Sequence, residues 1–350
     1  MSLRDEILEQ PAVAQRMLDH GREAIGRIAA AAADREVDLV CIAARGTSDH
    51  AAIYAQYVFG AHLRLPVALA TPSLTSLYGV TPRLERALVI AISQSGRSPD
   101  VVGTLAAARE QGAPTIAITN DPGSDLASTA EHVIHLDAGP ELAVAATKTY
   151  TAELLAIALL ATALEGRLGT PTAAGHADEL DEVPEAIAHA LSSEQEAEAA
   201  ARGLAERDRC IVVGRGFEYA TARELALKLK ELARVAADPY SAADFLHGPL
   251  ALVEPGYPVI AVAPSGAAAE DVDAVISQLR ELGVDVVVLS DRPAALATGS
   301  PGVTLPSNVP EWLRPITTIV TGQFLALHLA HARGINPESP RWITKVTLTR

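Results

Sequence analysis

The chain has 350 residues, long enough for two α/β domains that each bury a substantial core. Its 28 basic and 43 acidic residues give a formal net charge of −15, which disfavours nucleic acid or an anionic membrane as the main partner, because both bind through an excess of Lys and Arg. The charged start "MSLRDEILEQ" lacks a signal-peptide core, and the most apolar stretch, "ELLAIALLATALEG", is interrupted by acids and too short to span a bilayer, so a soluble protein is expected.

Residues 1–34 read as lead-in helices, with Pro11 opening the second. Short apolar runs then alternate with amphipathic segments: "DLVCIAA" with "HAAIYAQYVFG", "ALVIAIS" with "PDVVGTLAAAREQG", "PTIAITN" with "SDLASTA", and "HVIHLD" with "TKTYTAELLAIALLATALEG". This alternation predicts a parallel sheet with crossover helices on both faces over residues 35–170. Gly, Pro and Thr punctuate "GRLGTPTAAG", and acidic, Ala-rich helices within 171–206 connect to a second unit over 207–335. That unit runs through "RCIVVGRG", "YATARELALKLKELARVAA", "PVIAVAPSG", "EDVDAVISQLRELG", "VDVVVLSD" and "PITTIVTGQFLALHLAHARG".

The two units share one offset. Arg45 and Arg215, Ser95 and Ser265, Asp121 and Asp291, and Glu141 and Glu311 are each 170 positions apart. The fold class is therefore α/β, with two tandem doubly wound parallel-sheet domains, each a three-layer αβα sandwich, arising by duplication. Cys41 and Cys210 sit inside apolar runs and read as reduced core residues rather than a disulfide pair, so a cytoplasmic location is expected.

Neither repeat contains G-x-G-x-x-G, and G-x-x-x-x-G-K-[ST] occurs nowhere, so no nucleotide cofactor is expected. The first repeat instead places hydroxyls at three strand ends: Thr47 and Ser48; Ser93, Ser95 and Ser98, with Gln94 among them; and Thr119. Hydroxyls beside the free N–H groups of helix N-termini form a phosphate site that needs no cationic side chain. Ordinary N-caps are the alternative, but the second repeat has "APSGAA" at the matching place, which marks the first as the ligand-binding copy. In the second repeat Lys228 and Glu231 share a helix face, as a surface ion pair or as a cation and a carboxylate facing a cleft. His247 in "LHGPL" is either structural or a partner of that pair in acid/base work on a phosphosugar. The tail "ESPRWITKVTLTR", within residues 336–350, has a Trp and a β-patterned run that suggest packing across the surface. Its Lys345 is either solvated or positioned to form an imine with a carbonyl.

"RGTSDHA", "ISQSGRSPD", "ELAVAATKTYTAEL", "LALKLKEL", "FLHGPLAL" and "PRWITKVTLT" resemble, in order and spacing, the sugar isomerase (SIS) domains of glutamine:fructose-6-phosphate amidotransferase over nearly the whole chain. The resemblance implies phosphate binding by Ser93, Gln94, Ser95 and Ser98, and sugar contacts at Ser48 and at the backbone of Val144. It implies that Glu231 transfers hydrogen between C1 and C2, accompanied by Lys228, with His247 opening the ring and Lys345 forming an imine. Ala146 stands where the family pattern has a serine, which removes one hydroxyl contact. The family's N-terminal glutaminase domain is not in this sequence, so the resemblance points to stand-alone relatives: glucosamine-6-phosphate deaminases, fructosamine-6-phosphate deglycases and simple sugar-phosphate isomerases. It further implies a homodimer with shared active sites, a small sugar phosphate as ligand, a tail over the active site, and no metal or redox cofactor. A non-catalytic sugar-phosphate sensor is the rival, although the short acidic N-terminal segment offers no DNA-binding head.

Overall fold

The structure, a computed structural model, describes residues 2–165, 167, 176–299 and 301–347. The punctuated stretch read as a domain boundary, 166–175, lies outside the described residues apart from Arg167, as do the last three residues of the tail. The described chain forms two compact units. One comprises Ala12–Glu141, Lys148–Asp181 and Ile343–Arg350; the other comprises Met1–Pro11, Leu142–Thr147 and Glu182–Trp342.

The first unit holds a five-stranded, all-parallel sheet of β1 (Leu39–Ala43), β2 (Val67–Leu69), β3 (Ala87–Ile92), β4 (Thr115–Thr119) and β5 (His132–His135), in the order β2-β1-β3-β4-β5. All six residues of β3 are buried, as a central strand covered on both faces requires, which is why "ALVIAI" is continuously apolar. Cys41, Val89, Ala91, Val101, Leu105 and Leu126 pack on one face of this sheet.

The second unit repeats the arrangement with β6 (Arg209–Gly214), β7 (Ala236–Ser241), β8 (Pro258–Val262), β9 (Asp285–Ser290) and β10 (Gly302–Thr304), in the order β7-β6-β8-β9-β10. Two doubly wound three-layer domains with one topology confirm the duplicated α/β fold. Strands β2, β7 and β10, all at sheet edges, are too short or too mixed in composition to stand out in the sequence. β2 and β10 are three residues long, and β7, "AADPYS", holds Pro239 where an edge strand tolerates a missing donor.

Both cysteines are free and buried within β1 and β6, and burial pushes the Cys210 thiol up to about 12. No helix among the described residues is long and apolar enough to cross a membrane. The tail departs from its β-patterned reading. No strand forms within residues 336–347, and Trp342 is 95% exposed at φ 65°.

Candidate active site

In each sheet the strand order reverses between the first and third strands of the repeat, and ligands of open α/β sheets bind outside the carboxyl ends of the strands at that point. In the first repeat the two loops that meet there are 44–46, leading into helix Thr47–Leu63, and 93–98, leading into helix Pro99–Glu110. Arg45 joins them: its guanidinium bonds the buried Asp100 carboxylate at 2.8 Å through Nε and Nη2. Gly96 makes the loop possible. It sits at φ +62°, and a Cβ there would stand 2.1 Å from Ser124 Oγ.

The serines of this loop are not spent on helix capping. Ser98 is the N-cap of Pro99–Glu110, yet its side chain makes no cap hydrogen bond, whereas Ser124 accepts from Ala127 N in the ordinary way. Ser93 Oγ accepts from Gly96 N at 3.1 Å and Ser95 Oγ from Arg97 N at 3.4 Å, so both hydroxyl protons stay available. The backbone N–H groups of Gln94, Ser95 and Ser98 find no acceptor among the described residues. These donors, beside the N-terminus of a 12-residue helix, favour an anion. Ser48 lies in the first turn of helix Thr47–Leu63, buried, and donates to Glu153 Oε1 at 2.8 Å.

The second repeat closes the equivalent site on itself. Asp291 accepts from Ser265 N and Ser265 Oγ, each at 2.6 Å, and Glu311 accepts from Ala267 N at 3.0 Å. Burial opposes the Asp291 charge, but the Ser265 bonds and Arg314, 2.7 Å away, outweigh it and hold the carboxyl below its ordinary range. In the first repeat the counterparts of these two acids are engaged elsewhere. Asp121 accepts from Gly123 N and pairs with Arg97. Glu141 accepts from Thr149 N and Thr149 Oγ1 and from Lys345 Nζ at 2.5 Å. Lys345 is thus tied to a buried carboxylate at the start of helix Lys148–Leu164, rather than solvated.

Val144 lies half-buried in a loop that the buried Glu6 holds by its backbone, accepting from Leu142 N at 2.5 Å and Ala143 N at 3.3 Å. Gln323 secures the end of this loop through Thr147 O. Ala146 is in the same segment, half-buried.

Lys228 is no surface ion pair. It is 1% exposed on helix Glu218–Ala233, with Nζ 2.6 Å from Glu231 Oε2 and 3.2 Å from Glu224 Oε1. Burial opposes its charge, yet the two carboxylates prevail and its pKa is raised. Glu231 is partly exposed while Glu224 is fully buried, so one carboxylate can meet a ligand and the other fixes the ammonium. His247 ends the short helix Ala242–Leu246 on an exposed loop. The structure thus brings Lys228 to Glu231, places Ser93, Gln94, Ser95 and Ser98 in one loop, and puts His247 on an exposed loop after helix Ala242–Leu246.

Two residues escaped the sequence reading. Glu224 precedes Lys228 by four positions and Glu231 follows by three, so Glu-x-x-x-Lys-x-x-Glu was the available signal. Glu6 gave none, because nothing in "RDEILEQ" distinguishes a buried Glu from a solvated one.

The SIS domain model matches residues 35–163 and 203–333. The chain is 36% identical over 344 residues to a glutamine--fructose-6-phosphate aminotransferase [isomerizing] of Thermococcus kodakarensis, covering 97% of this chain and 56% of that protein. It therefore spans about half the length of the curated relatives it matches. A candidate phosphosugar isomerase from Silicibacter pomeroyi DSS-3 superposes with a TM-score of 0.83 at 35% identity, covering 96% of this chain and 99% of that one. A glucosamine-6-phosphate deaminase from Thermotoga maritima shares the fold, with a TM-score of 0.72 at 20% identity over 96% of this chain and all of that one. With both repeats matched and the relationship covering nearly its whole length, the chain belongs to the SIS domain family.

Proposed function

We propose that this protein is a phosphosugar aldose–ketose isomerase that acts as a deaminase, converting glucosamine 6-phosphate, or a related amino-sugar 6-phosphate, to fructose 6-phosphate and ammonia. The observation that carries the reading is the Glu231 carboxylate, partly exposed and held 2.6 Å from a buried ammonium. A carboxylate fixed in this way can remove and return a proton without leaving its station.

In this reading the phosphate is held by Ser93, Gln94, Ser95 and Ser98, with Ser48 and the backbone of Val144 on the sugar. His247 assists opening of the ring to the free aldehyde. Glu231 takes the proton from C2 as O1 gains a proton, giving an enaminol; Glu231 then returns its proton to C1 while the amine nitrogen gives up one proton, so that the shift is an isomerisation with no net change in protons. The product is a C2 ketimine bearing a C1 hydroxyl. Water adds to the imine carbon, and expulsion of ammonia leaves the ketose. Carbonyl and imine serve as the electron sinks throughout. Lys228 keeps Glu231 oriented, and Lys345 supplies an amine that condenses with the keto carbon to form an imine, releasing water. The exposed position of His247 supports its service in a partner's site within a homodimer. Sedimentation analysis checks that assembly, and a strictly monomeric active enzyme would exclude the sharing.

Ala146 favours a second substrate class, fructosamine 6-phosphates, because a methyl in place of a serine's hydroxymethyl leaves room for a substituted nitrogen. The test is to mix the purified protein with glucosamine 6-phosphate and follow ammonia and fructose 6-phosphate together. Equal amounts of both, abolished in Glu231→Gln, support the deaminase. Turnover of a fructosamine 6-phosphate alone supports the deglycase, and phosphosugar binding without turnover of either revives the sensor.

A further inference from the structure

The first repeat carries a second cluster of chemically able side chains at its other end. Helix Thr47–Leu63 starts at the carboxyl end of β1 and runs back for 17 residues. At 1.5 Å per residue this separates Ser48 from the end of the helix by about 22 Å. His62 lies in that last turn, and helix Lys148–Leu164 packs alongside. Ser48 and Glu153 cross-link the pair at one end; His62 and Glu165 do so at the other.

At this second end two imidazoles address one carboxylate. His62 Nδ1 stands 2.7 Å from Glu165 Oε1, and His176 Nδ1 stands 2.9 Å from the same oxygen and 3.2 Å from Oε2. The ring centroids are 4.6 Å apart. One donor atom from each of the three residues falls within 4.8 Å of the others. The side chains of His62 and Glu165 are 6% and 8% exposed, and that of His176 is 25% exposed, which leaves an approach from one side. Glu179, three residues beyond His176 and hence on the same side of its turn, lies within Coulombic reach of His62.

We propose that His62, Glu165 and His176 bind a divalent d-block cation, zinc by ligand type, at a structural site separate from the serine loops. Two imidazole nitrogens and a carboxylate oxygen suit zinc, with water or Glu179 for a fourth ligand. Ligands at about 2.0–2.2 Å from a tetrahedral ion lie about 3.3 Å apart, so entry requires each ring to withdraw from Glu165 by about half an ångström. The site joins two packed helices to the start of the next helical segment, His176–Glu179, and its occupation therefore stabilises the first repeat.

The test uses the full chain, stripped with a chelator and dialysed against zinc, with metal analysis and thermal unfolding in parallel and cobalt(II) as a spectroscopic probe. The expected result is one equivalent of zinc per chain, the visible absorption of four-coordinate cobalt, and an unfolding midpoint that rises with zinc concentration. His176→Gln, at the most exposed of the three positions, and Glu165→Gln both lose the equivalent while staying folded by circular dichroism. Absence of stoichiometric uptake by the native chain, or uptake undiminished in His176→Gln, overturns the proposal and leaves a hydrogen-bonded staple.

Discussion

Asp291 takes both the backbone N–H and the hydroxyl of Ser265, each at 2.6 Å, whereas Asp121 turns away from Ser95 at the same place in the other repeat and binds Gly123 and Arg97 instead. One fold thus yields a loop already saturated by its own carboxylates and a loop whose donors are free to meet an anion. The difference lies in what the acid at the end of the fourth strand does. Arg314 stands beside Asp291 and helps hold its charge toward Ser265.

The contrast predicts opposite effects from matched substitutions. If this loop holds the phosphate as proposed, Ser95→Ala and Ser98→Ala each remove a donor and should weaken sugar-phosphate binding by about 1–2 kcal/mol, roughly 5- to 30-fold in Kd, with little change in unfolding midpoint. Ser265→Ala should leave Kd untouched and lower the midpoint, because Asp291 loses a hydroxyl donor. Calorimetric titration and thermal unfolding of the three variants check this. Equal losses of affinity at Ser95 and Ser265 would sink the assignment of roles.

Lys228 compensates two carboxylates, and Glu224 has no exposure through which water could replace it. Lys228→Met should therefore cost about 3–5 kcal/mol of stability, the penalty of leaving a buried charge without its partner. Glu231→Gln, at a partly exposed position, should preserve the fold and lower kcat by about 100- to 10,000-fold if it is the proton-transfer group. Denaturant titration of both variants beside steady-state kinetics separates the structural role from the chemical one. A stable Lys228→Met variant would mean that Glu224 takes up a proton or finds another donor.

Gly96 tests the geometry of the loop independently of its hydroxyls. Alanine there meets both an unfavourable φ of +62° and Ser124 Oγ at 2.1 Å, with Thr119 Oγ1 at 3.1 Å. Gly96→Ala should weaken phosphosugar binding and lower stability together, since the turn must shift to admit a methyl. Gly112→Ala is the control: it has φ +78° but open space, and should cost stability alone, by about 1 kcal/mol.

How much of this was legible in the sequence depends on what kind of fact each residue represents. The central strands announce themselves because burial on both faces forces continuous apolar runs, and the constant offset of 170 positions exposes the duplication. The strands β2, β7 and β10 escape the pattern because two are only three residues long and the third mixes Asp and Pro into its run. The serine cluster was visible as composition, but whether Ser98 caps its helix or leaves its hydroxyl free is a matter of a single torsion that no spacing encodes. Lys228 shows the same limit. Lys-x-x-Glu reads identically on a surface and in an interior, and only the depth of the helix Glu218–Ala233 tells them apart. The tail misled for the converse reason: its Trp342 looks like an anchor and is exposed, while Lys345, which looks solvated, is tied to Glu141.

Glu218 occupies the position in the second repeat that Ser48 holds in the first, 170 residues earlier, and it is buried. Burial pushes its carboxyl up to about 7, against the hydrogen bonds that it accepts from Thr221 and Thr318 and the charge of Arg314. The sign of the consequence follows from proton counting. Between the ordinary value of 4.5 and about 7 the folded chain keeps a proton that the unfolded chain has released. Stability from this group is therefore complete below the unfolded value, falls as pH rises through the folded one, and is gone above it. Across that window the loss amounts to at most about 3 kcal/mol. Glu218→Gln keeps a neutral amide at every pH, so its stability relative to the native protein should increase from pH 5 to pH 8. Because other titrating groups are common to both proteins, the difference between their denaturation curves isolates this carboxyl. A difference that stays constant over the range would mean that Glu218 is ionised in the folded state throughout, and that Arg314 and the two threonines outweigh its burial.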